Sequence, residues 1–376
     1  MRPEMCTSPT AKEVRARVTA SNRQGKTLIG IAMFVVGAIC YPSLFVASLT
    51  LPWWPAQLLA AVLNGVVIFL LLCVGHDAAH GNLTHSHVLN NLIGRLAFLP
   101  SLTPYSIWAY THNRRHHAFT NLRGYDIAFA PFSAEEFARL PAWRRGLERF
   151  YKSVPGLALY YLVEIWWKYV FAYRSQRKSI RTSVIYNLDR LIVISFVVTQ
   201  VAAALRLQAI ANPAEAESSF SVATGLLTGL VLPWLVFCWV IGFVSFLHHT
   251  HPKVRWYASR SEWTFFSGQT QGSVHVVFPW PRWFRLIHAL FEHPAHHIDY
   301  RIPTVELREC EQQLEQAYPE VLVEQFSISY LRRLLATCQL YDYVIHQWLD
   351  FDGKPTSEPT GEWSHPAKQE PLSAIE

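Results

Sequence analysis

The chain contains 17 histidines, and eight of them fall in three tight clusters. The clusters read HDAAH, HNRRHH and HPAHH. Their histidines are His76 and His80, then His112, His116 and His117, then His293, His296 and His297. Imidazole is the commonest protein ligand for metal ions, and nitrogen-rich sites suit iron, copper, nickel or zinc. Because one ion takes only about four to six ligands, this number of histidines predicts two metal ions in one pocket.

The spacing within the first two clusters supports metal binding. His76 and His80 are four residues apart, which places both rings on one face of a helix. His112 and His116 repeat that spacing, whereas His117 is turned by about 100° around the helix. We therefore expect the second cluster to give two rings to one ion and its third ring to the neighbouring ion.

The third cluster, HPAHH, places its histidines at i, i+3 and i+4, again on one side of a helix. Structural zinc sites are usually rich in cysteine and closed, and none of the three clusters contains a cysteine. The pattern therefore favours a reactive metal centre over a structural zinc site. We interpret the isolated histidines as ordinary surface or core residues; they are His85, His87, His288, His346 and His365.

The composition indicates a membrane protein. The chain is 51% hydrophobic, 14% aromatic and only 16% charged, against about 25% charged residues in soluble domains. The net charge of +6 is consistent with positive residues that hold cytoplasmic loops against anionic lipid. Since no basic stripe with interleaved aromatic residues occurs away from the apolar segments, we expect no nucleic-acid partner. The six cysteines are scattered without a CxxC pair, so we interpret them as small buried apolar residues.

Apolar runs predict an all-α integral membrane protein with about four transmembrane helices, interfacial helices and a cytoplasmic, histidine-rich di-metal cap. A span needs about 20 apolar residues. We place the spans at about 28–51, 56–75, 190–209 and 218–247. They lie in a single membrane domain of residues 28–351, after a cytoplasmic N-terminal segment (1–27) and before a disordered, polar tail (352–376). Two further segments, 96–111 with its two prolines and the amphipathic 156–173, are predicted to lie at the membrane surface.

Lysine and arginine residues set the orientation of these spans. They are frequent before residue 28 and between residues 81 and 187, and the turn between the first two spans is uncharged. Positive residues mark the cytoplasmic side of a membrane protein. An even number of spans then places all three histidine clusters on the cytoplasmic side, where one site can use them together.

A further ligand is expected just after the fourth span, in the sequence His248-His249-Thr250-His251. We favour His249, which has Ser245 four residues earlier on the same helix face; His248 and His251 remain alternatives. Candidate acceptors for the second ring nitrogens of the ligands are the polar residues beside the clusters. They are Asp77, Asn113 and Asp299.

The three clusters resemble the histidine boxes of the membrane fatty acid desaturase superfamily, which read HxxxH, HxxHH or HxxxHH, and HxxHH. The sequences HNRRHHAFTNLRGYDIAFAPFS, FLHHTHP, GSVH and HPAHHIDYRIP are most similar to the bacterial and plastid Δ12 (omega-6) acyl-lipid desaturases. The resemblance extends over about residues 74–307. The second box has three residues between His112 and His116, where the Δ12 pattern usually has two, and alkane hydroxylases share this longer spacing. GSVH contributes His275, whose role is open.

The resemblance implies an O2-dependent desaturase with two iron ions and O2 as co-substrate, which forms a cis double bond in a lipid acyl chain. The ligands would be the eight clustered histidines and His249; zinc can replace iron in purified protein. Because the sequence has no haem, flavin or nicotinamide motif, electrons must come from a donor such as ferredoxin or cytochrome b5. We expect a bacterial inner-membrane protein with its active site on the cytoplasmic side.

Two alternatives remain at this point. A membrane di-iron hydroxylase or ketolase that acts on a lipid or hydrocarbon would use the same ligands, and only its product would differ. A non-catalytic metal-binding membrane protein would need ionisable groups within its spans to line a path for the ion. The uncharged runs of the predicted spans contain none, since Arg190 and Arg206 flank the run of the third span, and this makes the second alternative the weaker one.

Overall fold

Four long apolar helices form the membrane part of the chain. The computed structural model describes residues 9–18, 24–174, 179–215, 218–279 and 292–360. Within these ranges the chain is mostly helical, and its strands are few and short. The helices that are long and apolar enough to cross a membrane are Thr27–Thr50, Trp54–Ala79, Ile180–Ala211 and Ser219–His249. The prediction of an all-α membrane protein with about four spans is therefore confirmed.

The described helices, in chain order, are α1 (Ala11–Ala16), α2 (Gln24–Thr50), α3 (Trp54–Ala79), α4 (His87–Phe98), α5 (Tyr105–Thr111), α6 (Ala134–Arg139), α7 (Ala142–Tyr151), α8 (Gly156–Tyr160), α9 (Ile180–Ala211), α10 (Ser219–Leu226), α11 (Leu232–His249), α12 (Phe265–Thr270), α13 (His293–Ile298), α14 (Leu307–Ala317) and α15 (Ile328–Thr337). Segments with π-helical hydrogen bonds are His112–His116, Tyr161–Phe171 and Leu227–Val231. The strands are β1 (Val274–Val277), β2 (Leu322–Gln325), β3 (Leu340–Asp342) and β4 (Gln347–Leu349). Short 3₁₀ turns lie at Pro213–Glu215 and Thr304–Glu306.

The chain divides into two compact units. The membrane unit comprises residues 24–109 and 158–242, and the histidine unit comprises residues 1–23, 110–157 and 243–376. The membrane unit therefore contains the first three spans and most of the fourth. The histidine unit contains the second and third histidine clusters.

Close helix packing holds the membrane unit together. At Gly65 of α3, an added Cβ would lie 2.6 Å from the carbonyl oxygen of Pro233 and from the side chain of Val236 on α11. Glycine is therefore required where these two helices approach each other. Large apolar side chains on the outer surface of α2, such as Leu28 and Ile39, are exposed, as expected for a helix that faces lipid.

The third span begins earlier than its apolar run. The sequence places it at about 190–209, and helix α9 starts at Ile180, where the Ser179 hydroxyl accepts the backbone N–H of Thr182 (3.2 Å). Asp189 lies inside this helix and is buried. It accepts hydrogen bonds from Arg95 Nε (2.9 Å) and from the backbone N–H of Ser106 (2.8 Å). These bonds compensate the buried carboxylate, and a hydropathy argument cannot anticipate them.

The two segments predicted at the membrane surface are both helical, and the first of them is interrupted. Helix α4 ends at Phe98 and α5 begins at Tyr105, so the chain breaks between Pro100 and Pro104 as the prolines predict. Helix α8 and the π-helical segment after it cover residues 156–171. Lys168 forms an ion pair with Glu164 four residues earlier, as their spacing suggests.

A second core lies in the histidine unit. Val14 of α1 is fully buried with side chains of α12, α13 and α14, and Arg15 Nε donates to the carbonyl oxygen of Ile298 (3.1 Å). Strands β1 and β2 pair in parallel, and β3 and β4 pair antiparallel. These short strands were not predicted, because segments of three or four residues are too short to show an alternating pattern.

The beginning of the predicted tail makes backbone hydrogen bonds. The backbone N–H of Thr356 donates to the carbonyl oxygen of Trp348 (2.9 Å), and that of Thr360 donates to the carbonyl oxygen of His346 (3.1 Å). Residues 361–376 lie outside the described part of the chain.

Candidate metal centre

Four histidines of the histidine unit converge on one point. One ring nitrogen from each lies within 4.8 Å of the others. The Nε2 atom of His293 is 2.9 Å from His249 Nε2 and 2.8 Å from His297 Nε2. We call this set the four-histidine group; its members are His116, His249, His293 and His297. Ring nitrogens that meet this closely need a shared proton or a cation between them, and a nitrogen-only donor set suits a transition metal.

The second ring nitrogens of this group are held by acceptors outside it. His116 Nδ1 lies 2.7 Å from the buried carboxylate of Asp126. His249 Nδ1 lies 3.3 Å from the carbonyl oxygen of Gly272. Because a carboxylate and a carbonyl can only accept, each Nδ1 must carry the hydrogen, and each Nε2 then presents a lone pair to the group.

His297 is held in the same way by a polar network. Its Nδ1 lies 2.9 Å from Thr120 Oγ1 and 3.1 Å from Gln269 Oε1. Thr120 Oγ1 donates to the carbonyl oxygen of His116 (2.9 Å), so it can accept from His297. Gln269 Nε2 donates to the carbonyl oxygen of His117 (2.6 Å). The network fixes the ring of His297 and ties the third cluster to the second.

Burial favours the neutral form of two rings of this group. It lowers the pKa of His293 and of His297 well below the ordinary imidazole value, and the neighbouring histidines lower it further. Burial alone would raise the pKa of Asp126, but His116 and the Asn121 N–H bring it below its usual value. Neutral imidazole is the form that binds metal ions, and an ionised carboxylate behind it makes the ring a stronger donor.

Three other histidines of the same unit form a second set, the three-histidine group. Its members are His112, His117 and His296. His112 Nε2 lies 3.0 Å from His117 Nε2, and the rings of His117 and His296 are 4.5 Å apart, centroid to centroid. The second and third clusters therefore each contribute to both groups.

The sequence predicted the wrong pair within the second cluster. An α-helix would place His112 beside His116, but residues His112–His116 form a π-helical turn in which His117 N–H donates to the His112 carbonyl (3.0 Å). In this wider turn, residues five apart share a face. His112 is therefore grouped with His117, and His116 belongs to the other group. The extra residue of HNRRHH, compared with HxxHH, is accommodated by this turn.

The first cluster lies at the end of α3 in the membrane unit. His76 Nε2 and His80 Nε2 are 3.3 Å apart, as the i, i+4 spacing predicts. His76 Nδ1 is 3.4 Å from the carboxylate of Asp77, which is one of the acceptors suggested by the sequence. The ring of His76 also packs edge-on against Trp108 (5.6 Å between centroids).

The alternatives to His249 are placed differently. His248 is buried and its ring stacks on that of His293 (4.1 Å between centroids), and it is not a member of the four-histidine group. His251 Nε2 lies 3.0 Å from the carboxylate of Glu324. Asp299, suggested as an acceptor for a ligand, instead accepts hydrogen bonds from Arg301 Nε and Nη2 (2.8 and 2.7 Å).

Sequence reasoning missed the acceptors that hold the four-histidine group. Thr120 follows His116 by four residues, a spacing that could have indicated it. Asp126 is ten residues from His116 on an irregular segment, and Gln269 is 149 residues from Thr120 along the chain. No periodicity in the sequence relates these residues.

Four apolar spans and converging histidine nitrogens are the features of an integral membrane protein with a candidate histidine-rich metal site. The family model for fatty acid desaturases matches residues 52–329. The chain therefore belongs to the fatty acid desaturase family and is an enzyme of that class.

Characterised relatives cover most of the chain. The sn-1 oleoyl-lipid 12-desaturase of Picosynechococcus sp. is 28% identical over 343 residues, which are 87% of this chain and 86% of that protein. The chloroplastic omega-6 fatty acid desaturase of Spinacia oleracea is 27% identical over 320 residues, 85% of this chain and 65% of that protein. The sn-1 acyl-lipid omega-3 desaturase (ferredoxin) of Synechocystis sp. is 25% identical over 315 residues, 80% of this chain and 78% of that protein.

Proposed function

We propose that the chain is an O2-dependent acyl-lipid desaturase that introduces a cis double bond at the Δ12 (omega-6) position, using two iron ions. The observation that carries this proposal is the four-histidine group, whose four ring nitrogens converge while acceptors hold three of its rings from behind. The names of the relatives from Picosynechococcus and spinach support the substrate and the position.

The two groups suggest how the ligands are divided between the ions. The four-histidine group would hold one iron. The three-histidine group would hold the other. His76 and His80 of the first cluster are the two further ligands that the sequence suggests, so that nine histidines would serve two ions, each of which takes about four to six donors.

When bound, the two irons would supply the oxidising power: with O2, two electrons from the donor and two protons, two hydrogens leave neighbouring methylenes of the acyl chain and two molecules of water form. The protein's own residues hold and shield the site. Asp126, Thr120 and the carbonyl of Gly272 fix the ring orientations of three ligands. Burial of His116, His249 and His297 excludes water from the ligand nitrogens.

The remaining parts of the proposal concern the partner and the location. Electrons would come from a soluble or membrane-bound carrier such as ferredoxin or cytochrome b5, and the name of the Synechocystis relative supports ferredoxin. The distribution of lysine and arginine supports an active site on the cytoplasmic side of a bacterial inner membrane.

The test is the fatty acid profile of a bacterial host that contains oleoyl lipids and a ferredoxin system, measured by gas chromatography with mass spectrometry. The wild-type chain should produce a diene with the new double bond at Δ12. His116→Ala should produce none, because it removes a nitrogen of the four-histidine group. His85→Ala is the matched control, since this exposed histidine lies outside both groups, and it should retain the product.

Other products would change the assignment. A double bond at another position would contradict the Δ12 part of the proposal alone. A hydroxylated or keto product would contradict desaturation and indicate the hydroxylase alternative. A diene made by His116→Ala at the wild-type level would refute the role of the four-histidine group.

A further inference from the structure

A third set of potential metal ligands lies in the histidine unit, apart from both histidine groups. A ring nitrogen of His275 and one carboxylate oxygen each of Glu311 and Glu315 lie within 4.8 Å of one another. His275 is on strand β1, and the two glutamates are one turn apart on α14, so they share a helix face. His275 Nδ1 is 2.5 Å from Glu315 Oε1.

Glu311 is the unusual member of this set. Its side chain is fully buried, and one oxygen, Oε2, accepts the backbone N–H of Ala295 (2.7 Å). The other oxygen, Oε1, is also buried, and no described residue donates a hydrogen bond to it. Burial of a carboxylate oxygen without a partner is costly, and in native proteins it calls for a compensating group.

The surroundings of Glu311 are acidic. Burial raises the pKa of Glu311 well above its ordinary value; the Ala295 N–H opposes this, and nearby Glu315 and Glu292 raise the pKa further. Arg308 Nε lies 3.8 Å from the carboxylate of Glu292. A divalent cation between Glu311 and Glu315 would offset the repulsion between their carboxylates and would give Glu311 Oε1 a partner.

We propose that His275, Glu311 and Glu315 form a third cation site, which binds a divalent first-row transition metal ion. One imidazole and two carboxylates are a mixed nitrogen and oxygen donor set of the kind that binds Zn²⁺, Fe²⁺ or Mn²⁺. A bound ion would replace the hydrogen bond between His275 and Glu315. It would also keep Glu311 ionised while that residue holds the backbone of α13.

The position of this site suggests a structural purpose. Helix α13 carries the third histidine cluster, and Glu311 accepts a hydrogen bond from its first turn through the N–H of Ala295. A cation on Glu311 would therefore stabilise the helix that presents His293, His296 and His297. The proposal does not depend on which reaction the enzyme performs.

The experiment counts metal ions. Full-length protein in detergent is stripped with a chelator, dialysed against Zn²⁺, and analysed for zinc per chain by mass spectrometry. We expect three ions in the wild type and two in Glu315→Gln, which keeps the shape of a partly exposed side chain but removes its charge. Glu309→Gln is the matched control, because Glu309 is an exposed carboxylate on the same helix, and it should keep three ions.

A second variant distinguishes loss of the cation site from a folding defect. His275→Asn should also lose one ion, and size-exclusion chromatography checks that each variant is folded. A wild type that holds no more zinc than Glu315→Gln and His275→Asn would overturn the proposal. Because the proposal concerns the difference of one ion between the wild type and these variants, it holds even where the histidine groups bind one ion rather than two, and a failure of the desaturase assignment would not affect it.

Discussion

The hydrogen bond between His116 and Asp126 allows a quantitative prediction. In Asp126→Asn, the side chain keeps its size and loses its charge. In the wild type, the carboxylate of Asp126 accepts hydrogen bonds at both oxygens. Its Oδ1 lies 2.7 Å from His116 Nδ1 and 3.1 Å from the Ala128 nitrogen, and its Oδ2 lies 2.7 Å from the Asn121 nitrogen. An asparagine has only one acceptor oxygen, so its NH₂ group must face an N–H donor in either orientation.

Asp126→Asn should lower the metal affinity of the four-histidine group. Loss of an acceptor behind a metal ligand typically lowers affinity or activity about 10–100-fold, or about 1.4–2.7 kcal/mol. We expect the ion of the four-histidine group to dissociate in Asp126→Asn at a chelator concentration about 10–100-fold lower than in the wild type. Desaturation measured at limiting iron should fall to a similar extent.

The assay is a chelator titration with metal analysis, combined with product yield in the same preparation. Asp299→Asn is the matched control, because this carboxylate lies near the third cluster but is bonded to Arg301. Its metal retention should be unchanged. If Asp126→Asn keeps both its iron and its activity while it is folded, the carboxylate does not strengthen the ligand, and the reasoning is wrong.

Three further predictions concern the elements that support the site. Val14→Asp places an unpaired charge in the core under α1 and should lower the free energy of unfolding by about 3–5 kcal/mol. Lys12→Ala, on the exposed face of the same helix, should leave the free energy of unfolding unchanged, and thermal unfolding of both variants measures the difference. Arg95→Ala leaves the buried Asp189 without its cation and should destabilise the chain by about 3–5 kcal/mol, and Asp189→Asn in the same chain should restore part of the loss, which a double-mutant cycle measures. Deletion of Arg114 shortens the second cluster to HNRHH. An α-helical turn should then keep the first and last histidine on one face, so we expect folded protein to retain at least about a tenth of its product yield. Complete loss of product would contradict this.

The sequence was sufficient for the parts of the molecule that depend on local pattern. Long uncharged runs predicted four spans, because burial in lipid requires about 20 apolar residues irrespective of what they contact. The i, i+4 spacing predicted that His76 and His80 share a face, since that relation is a property of any α-helix. The choice of His249 among three neighbouring histidines agrees with its place in the four-histidine group.

The parts that could not be predicted depend on contacts between distant segments. The early start of α9 depends on the pairing of Asp189 with Arg95, which are 94 residues apart. The grouping of His112 with His117 depends on a π-helical turn, and no local signal distinguishes such a turn from a continuous α-helix. Asp126 and Gln269 lie on segments whose positions are set by tertiary packing.

The division of adjacent histidines between the two groups explains why so many contacts converge on α13. His296 belongs to the three-histidine group and His297 to the four-histidine group, so a small rotation of this helix would displace histidines of both groups. The helix has only six residues and cannot hold its own orientation. Arg15 binds the carbonyl of Ile298 at its end, and Glu311 binds the N–H of Ala295 in its first half. These contacts come from α1 and α14, so two helices outside the histidine clusters fix the orientation of α13.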